Sequence, residues 1–296
     1  AIVELSDGDV VTVGRTRVSV RLPHASRSRA VAPTAVMEEG EQSADRLGAI
    51  GYRSTCVVSA NNKLERHRAT CVADGTHAVA HVVSLARDPS AVSADTLLQH
   101  IERIRRLEHP AIAPLQRWSG ASRRIAFIYG AAGRTLTEVA RERALSSEQA
   151  RAWLGGLARG LACAHAAGMV HRAIDPSMIW VASDGPRITG LGIEAALDDV
   201  GAAGFTITDS HRVVNTDFLP RELVIDVRCS SPTVDVFALG AAFYWALAGQ
   251  APRSASPSRD PFANVLTGES RPLISLAPHV PENLATAIDR AVATRA

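Results

Sequence analysis

Gly168-Met-Val-His171-Arg172-Ala173-Ile-Asp175-Pro176-Ser-Met178-Ile-Trp180 sits between two long helical patterns and has no apolar periodicity of its own. A glycine opens it, a proline stands in its middle, and charges of both signs are crowded between them. Such a composition marks an ordered loop between regular elements. On its N-terminal side, Ser146 followed three residues on by Gln149 is a helix-start signature. That helix runs to about Ala167 and stops at Gly168, a glycine of the kind that follows a last turn. On its C-terminal side a second helix spans roughly Pro232 to Ala248 and stops at Gly249, and a third covers Glu282 to Arg295. The longest apolar run, Val236 to Ala248, is too short to cross a bilayer and follows Asp235, so it reads as a buried helix.

The N-terminal half has a different pattern. Val10–Val13 and Arg17–Leu22 are β-branched runs joined by Gly14-Arg15-Thr16, with a turn signal at Ser6-Asp7-Gly8-Asp9 before them. Residues 23–45 have no periodicity and read as a linker. Short strand-like runs follow from about residue 50, among them Ala78–Val83, then a helical stretch from Ala94 to Leu107 and a strand from Ile125 to Tyr129 leading into Gly130-Ala-Ala-Gly133. Strands first and helices later predict an α+β, two-lobed fold over 46–296, a small β-rich lobe on a larger helical one, preceded by a short hairpin.

Composition narrows the function. With 46% hydrophobic residues in 296, the chain can bury a large core. Its 32 basic and 30 acidic residues balance to +2 and only 4% of residues are aromatic, which argues against a nucleic-acid partner. Cys56, Cys71, Cys163 and Cys229 form no C-x-x-C pair and no zinc spacing, as expected of free thiols in a reducing, cytoplasmic setting.

The opening stretch resembles the catalytic-loop neighbourhood of the Ser/Thr protein-kinase family, whose bacterial members usually read G-I-V-H-R-D-L-K-P-S-N-I-L there. Asp235-Val-Phe-Ala-Leu-Gly240 is similar to the start of that family's long buried helix, and Ala248-Gly249-Gln-Ala-Pro252 to the segment after it. Phe218-Leu-Pro-Arg-Glu222-Leu resembles the Y-x-A-P-E-L that closes the activation segment. The match runs in unbroken order over roughly residues 50–296.

Against that family the chain departs at almost every position that handles nucleotide. Tyr52-Arg53 resembles the start of the first strand and Arg68-Ala69 that of the second. The glycine-rich phosphate loop between them reads Ser59-Ala60-Asn61-Asn62-Lys63-Leu64, with no glycine. The valine over adenine becomes Arg66. The phosphate-binding lysine becomes His81, and the helix that would supply its glutamate places His100 there. The catalytic aspartate becomes Ala173, the following lysine Asp175, the magnesium-binding asparagine Met178 and the D-F-G aspartate Gly190. The leucine under adenine becomes Trp180, which leaves two readings open: a stacked Arg66–Trp180 plug in the pocket, or Trp180 turned into the helical core. His171, Arg172, Asp235, Leu191 and Glu222 keep architectural roles, the usual arginine partner of Glu222 being expected beyond Arg295.

These losses imply a chain that is not an enzyme, with no cofactor, no metal and weak or absent ATP binding. The expected function is a scaffold or regulatory module in bacterial Ser/Thr phosphosignalling. It would bind a protein partner, with phosphorylation at Thr206, Thr208 or Thr216 as a possible trigger. An atypical, weakly ATP-binding Ser/Thr kinase is the alternative. Residues 1–22 resemble the last strands of a forkhead-associated (FHA) domain, which implies a second alternative, a phosphothreonine-binding adaptor.

Overall fold

The computed structural model describes residues 10–13, 16–19, 47–60, 64–85, 91–119, 124–199, 216–253 and 261–293. The chain divides into two units, Ala1–Glu41 and Gln42–Ala296. The division falls inside the stretch read as a linker, whose residues lie outside the described ones, as do Ser6–Asp9.

In the first unit, β1 (Val10–Val13) pairs antiparallel with β2 (Thr16–Ser19), Val10 facing Ser19 and Val13 facing Thr16. The second strand as described begins at Thr16, which had been read as part of the turn.

The second unit opens with a five-stranded antiparallel sheet in the order β3-β4-β5-β7-β6. Its strands are β3 (Tyr52–Ala60), β4 (Leu64–Cys71), β5 (His77–Ser84), β6 (Leu115–Trp118) and β7 (Arg124–Tyr129), with helix α1 (Ala91–Arg105) between β5 and β6. Strand β4 starts at Leu64, four residues before the Arg68 expected from the family resemblance. The period of two divides β5 between two environments. Ala78, Ala80 and Val82 pack with Tyr52, Ala69 and Ile128, whereas Val79 and Val83 join Leu97, Ile101 and Ile104 of α1 in the main core. His81 has the same parity as Val79 and Val83 and is fully buried.

The chain leaves the sheet through Gly130–Gly133 and enters β8 (Arg134–Thr135), which starts a second sheet ordered β10-β9-β8. Gly133 has φ +91°, and a Cβ there would stand 2.1 Å from the Val181 carbonyl oxygen, so only glycine allows this close approach to β9. Helix α2 (Leu136–Glu142) carries a complete capping box: the Thr135 side chain accepts from the Glu138 N–H, and Glu138 accepts from the Thr135 N–H. Then come α3 (Ser147–Ala166), β9 (Ile179–Ala182), β10 (Gly185–Ile188), α4 (Ile193–Asp199), α5 (Arg221–Ile225), α6 (Pro232–Ala248), α7 (Pro261–Thr267) and α8 (Glu282–Val292). This is an α+β, two-lobed fold, an antiparallel sheet with one long helix set against a mostly helical lobe.

Helix α6 is apolar almost all round because it is the axis of the helical lobe. Phe243 and Tyr244 are fully buried in it, with α3 and α8 against it. None of the described helices is long and apolar enough to cross a membrane. Since Phe243 is wholly enclosed, Phe243→Ala is expected to lower the unfolding free energy by about 3–5 kcal/mol, read from the shift of the urea midpoint.

Candidate active site

The loop from Gly168 to Trp180 is fastened by one carboxylate. Asp235, fully buried near the start of α6, accepts 2.8 Å hydrogen bonds from the backbone N–H groups of His171 and Arg172 and from His165 Nε2 of α3. Arg172 has φ +68°, a left-handed conformation that costs a non-glycine residue about 1–2 kcal/mol. Two backbone bonds to Asp235 hold it there. The Arg172 side chain pairs with both carboxylate oxygens of Asp198 and donates to the Val227 carbonyl at 2.7 Å.

His171 is fully buried, its Nε2 donating to the Thr189 carbonyl at 2.8 Å and its Nδ1 accepting from Ala173 N–H at 3.2 Å. One ring nitrogen therefore carries the hydrogen and the other does not, which fixes a neutral tautomer. The Thr189 hydroxyl donates to the Met178 carbonyl and lies 3.2 Å from Nε2 of His81. With its hydrogen committed to Met178, that hydroxyl accepts from His81. His81 Nδ1 has no hydrogen-bond partner among the described residues. The ring stands edge-on to Tyr129, 5.3 Å between centroids. His81 and His171 are both held neutral, their pKa values lowered from 6.5 by burial first of all.

The cleft between the lobes is bridged by two arginines two residues apart on β4. Arg66 reaches Asp175 Oδ2 at 3.5 Å, the Ser177 hydroxyl, and Ser59 Oγ at 3.4 Å. Asp175 also accepts the Ser177 N–H at 2.6 Å, so it is at once a turn cap and the acceptor for Arg66. Arg68 donates from one nitrogen to both oxygens of Glu138 on α2, at 2.7 and 2.8 Å. Its guanidinium lies 5.3 Å above the ring of Trp180, which is buried in the main core.

The arginine–tryptophan stack therefore forms with Arg68 and not with Arg66. Both side chains face the cleft, but Arg66 sits opposite His81, where Asp175 and Ser177 draw it away, and Arg68 sits one pleat further along, opposite Val79. His81, at the lysine position, contacts Thr189 and Tyr129, and His100 lies on α1. Ser59 lies in β3 and Leu64 is buried at the start of β4; Asn61 lies outside the described residues. Thr206 and Thr208 are likewise outside them, and Thr216 begins a short 3₁₀ turn ending at Phe218. Leu191 is buried, its carbonyl accepting from the Tyr129 hydroxyl at 3.3 Å. Glu222 stands in α5, on a cavity it shares with Arg253 and Arg290. The sequence reading missed Glu138 and Arg253. Glu138 was legible, since Thr135-x-x-Glu138 spells a capping box.

Magnesium does not fit the positions where the family holds it. Gly190 has φ +86°, and a Cβ there would meet His81 Cε1 at 3.2 Å and Met178 Sδ at 3.4 Å. An imidazole edge and a thioether line the spot, both poor company for a hard cation that takes oxygen ligands. Among the described residues no three His, Cys, Asp or Glu side chains are grouped as a metal would need.

Residues 68–289 match the family model described as protein kinase domain, and the chain belongs to that family. It is 36% identical over 121 residues to the serine/threonine-protein kinase PkaB of Streptomyces coelicolor, a match covering 39% of this chain and 29% of PkaB. It is 33% identical over 153 residues to the probable serine/threonine-protein kinase PkwA of Thermomonospora curvata, 51% of this chain and 19% of PkwA. It is also 33% identical over 137 residues to the serine/threonine-protein kinase AfsK of Streptomyces griseus, 45% of this chain and 16% of AfsK. The matched stretch spans less than a third of each relative's length.

These matches overturn the expectation that the chain is not an enzyme. A protein kinase domain whose relatives are named as serine/threonine kinases points to an enzyme. That expectation counted losses at the usual positions. It counted Arg66 and Asp175 only as losses, although the two pair with each other in the cleft.

Neutral buried histidines make stability pH-dependent. Their folded pKa values lie below 6.5, so the unfolded chain binds more protons on acidification. The stability they confer is complete above pH 6.5 and is lost as the pH falls through the window below it. The unfolding free energy is expected to drop as the pH falls below 6.5, by at most about 1.4 kcal/mol per pH unit for each histidine. In His81→Phe the drop should be shallower by one histidine's share, as measured by urea unfolding at each pH.

Proposed function

We propose that this domain is an atypical Ser/Thr protein kinase with weak affinity for ATP, whose main work is regulatory protein binding in bacterial phosphosignalling. The observation that carries this reading is the Arg66–Asp175–Ser177 bridge. It ties the sheet lobe to the catalytic loop across the route that nucleotide phosphates take in this family. ATP brings about four negative charges that need compensation, and phosphoryl transfer depends on positioning and charge. The buried position that would bear the lysine is a neutral histidine. Arg66 is a cation in the cleft, engaged by a carboxylate that ATP would have to displace.

Within this reading Arg66 supplies the positive charge for the phosphates, and Asp175 is the carboxylate on the loop that can accept a hydroxyl proton. Slow transfer leaves partner binding as the domain's principal role. The four cysteines are free thiols, in keeping with work in the reducing cytoplasm. The reading rests on the kinase unit alone, and the hairpin adds nothing to it.

The test is transfer of labelled γ-phosphate to the chain itself or to a generic Ser/Thr substrate, with contaminating kinases excluded. The expected rate is at least a thousandfold below the roughly 1–100 s⁻¹ of ordinary protein kinases, and it should vanish in Asp175→Asn. A rate in the ordinary range, or one untouched by Asp175→Asn, would contradict the proposal.

A further inference from the structure

A cavity of about 210 Å³ lies among α5, α6 and α8 and is lined by Arg221, Glu222, Phe237, Arg253 and Arg290. Arg253 is only 5% exposed. Its guanidinium lies 4.4 Å over the ring of Phe237 and donates to the carbonyls of Val265 at 2.5 Å and Leu219 at 2.8 Å. Its Nε has no hydrogen-bond partner among the described residues. Carbonyls and a phenyl face orient this cation without neutralising it.

The carboxylates acting on Arg253 are those of Glu222, which is exposed, and Asp217, whose own pKa burial raises. Burial lowers the Arg253 pKa to about 10, the direction expected of a cation short of counter-charge. Three guanidinium groups thus border the cavity against one carboxylate on its lining. A buried cation of this kind is costly until an anion joins it.

We propose that this cavity is an anion site that takes a phosphate monoester, the side chain of a phosphorylated serine or threonine. Guanidinium groups match phosphate in planar, two-point hydrogen bonding, and the dianion carries nearly two charges against this excess of positive charge. The cavity is smaller than the roughly 300–1,000 Å³ clefts that enclose drug-sized ligands, which favours a compact anion over a nucleotide.

The test is calorimetric titration of the chain with blocked phosphothreonine and with inorganic phosphate, at constant ionic strength made up with chloride. Arg221→Gln and Arg290→Gln serve as variants because neither side chain is buried, and both should melt like the parent without added anion. Saturable binding of phosphothreonine, weakened about tenfold or more in each variant, is expected, a tenfold loss being about 1.4 kcal/mol. Binding that does not saturate, or that survives both substitutions unchanged, would overturn the site. Binding of inorganic phosphate with none of phosphothreonine would overturn its assignment to a monoester.

Discussion

The buried carboxylate of Asp235 is the fixed point from which the site is built. It joins α6 to α3 through His165 and to the catalytic loop through two backbone N–H groups. An unpaired charge in that position would be expensive, so the three donors and the acceptor hold each other in place. The left-handed Arg172 is one result: its strain persists because the surrounding bonds over-determine it. From there the order propagates. His171 is aligned by the Thr189 carbonyl, and the Thr189 hydroxyl holds the ring of His81 in the opposite lobe. A chain of hydrogen bonds therefore connects the axis of the helical lobe to the centre of the sheet.

Around this frame, the arginines of the cleft are held in pairs internal to the protein. Arg66 is matched by Asp175 and Arg68 by Glu138. Each pair is partly exposed and is individually modest in worth. Under the proposed function they set the competition a nucleotide meets, since phosphates would recruit Arg66 only by separating it from Asp175. Family membership and cleft chemistry are thus compatible: the fold is that of a kinase, and the groups poised in its cleft are its own.

Much of this was legible in the sequence because the signals were local. Gly168 and Gly249 end helices, and the apolar run of α6 announces burial. The partners of the long side chains were not legible. Arg66 and Arg68 share a strand face, and only the register of β4 against β5, with the position of α2, decides which meets Trp180 and which meets Asp175. Nor does sequence spacing disclose that His81 would turn to Thr189, a residue 108 positions away. Arg253 was invisible for a similar reason, as its carbonyl acceptors come from Leu219 and Val265 on separate elements. The inference from missing residues to no enzyme failed because a list of absences says nothing of the groups that remain.

The central claim is that the cleft holds its own counter-charges in the place of nucleotide phosphates. Calorimetric titration with Mg-ATP tests it most directly, on the parent chain and on Asp175→Ala, which frees Arg66. The account predicts a Kd near or above about 1 mM for the parent and tighter binding in the variant. Micromolar binding by the parent, or affinity in Asp175→Ala no better than the parent's, would contradict it.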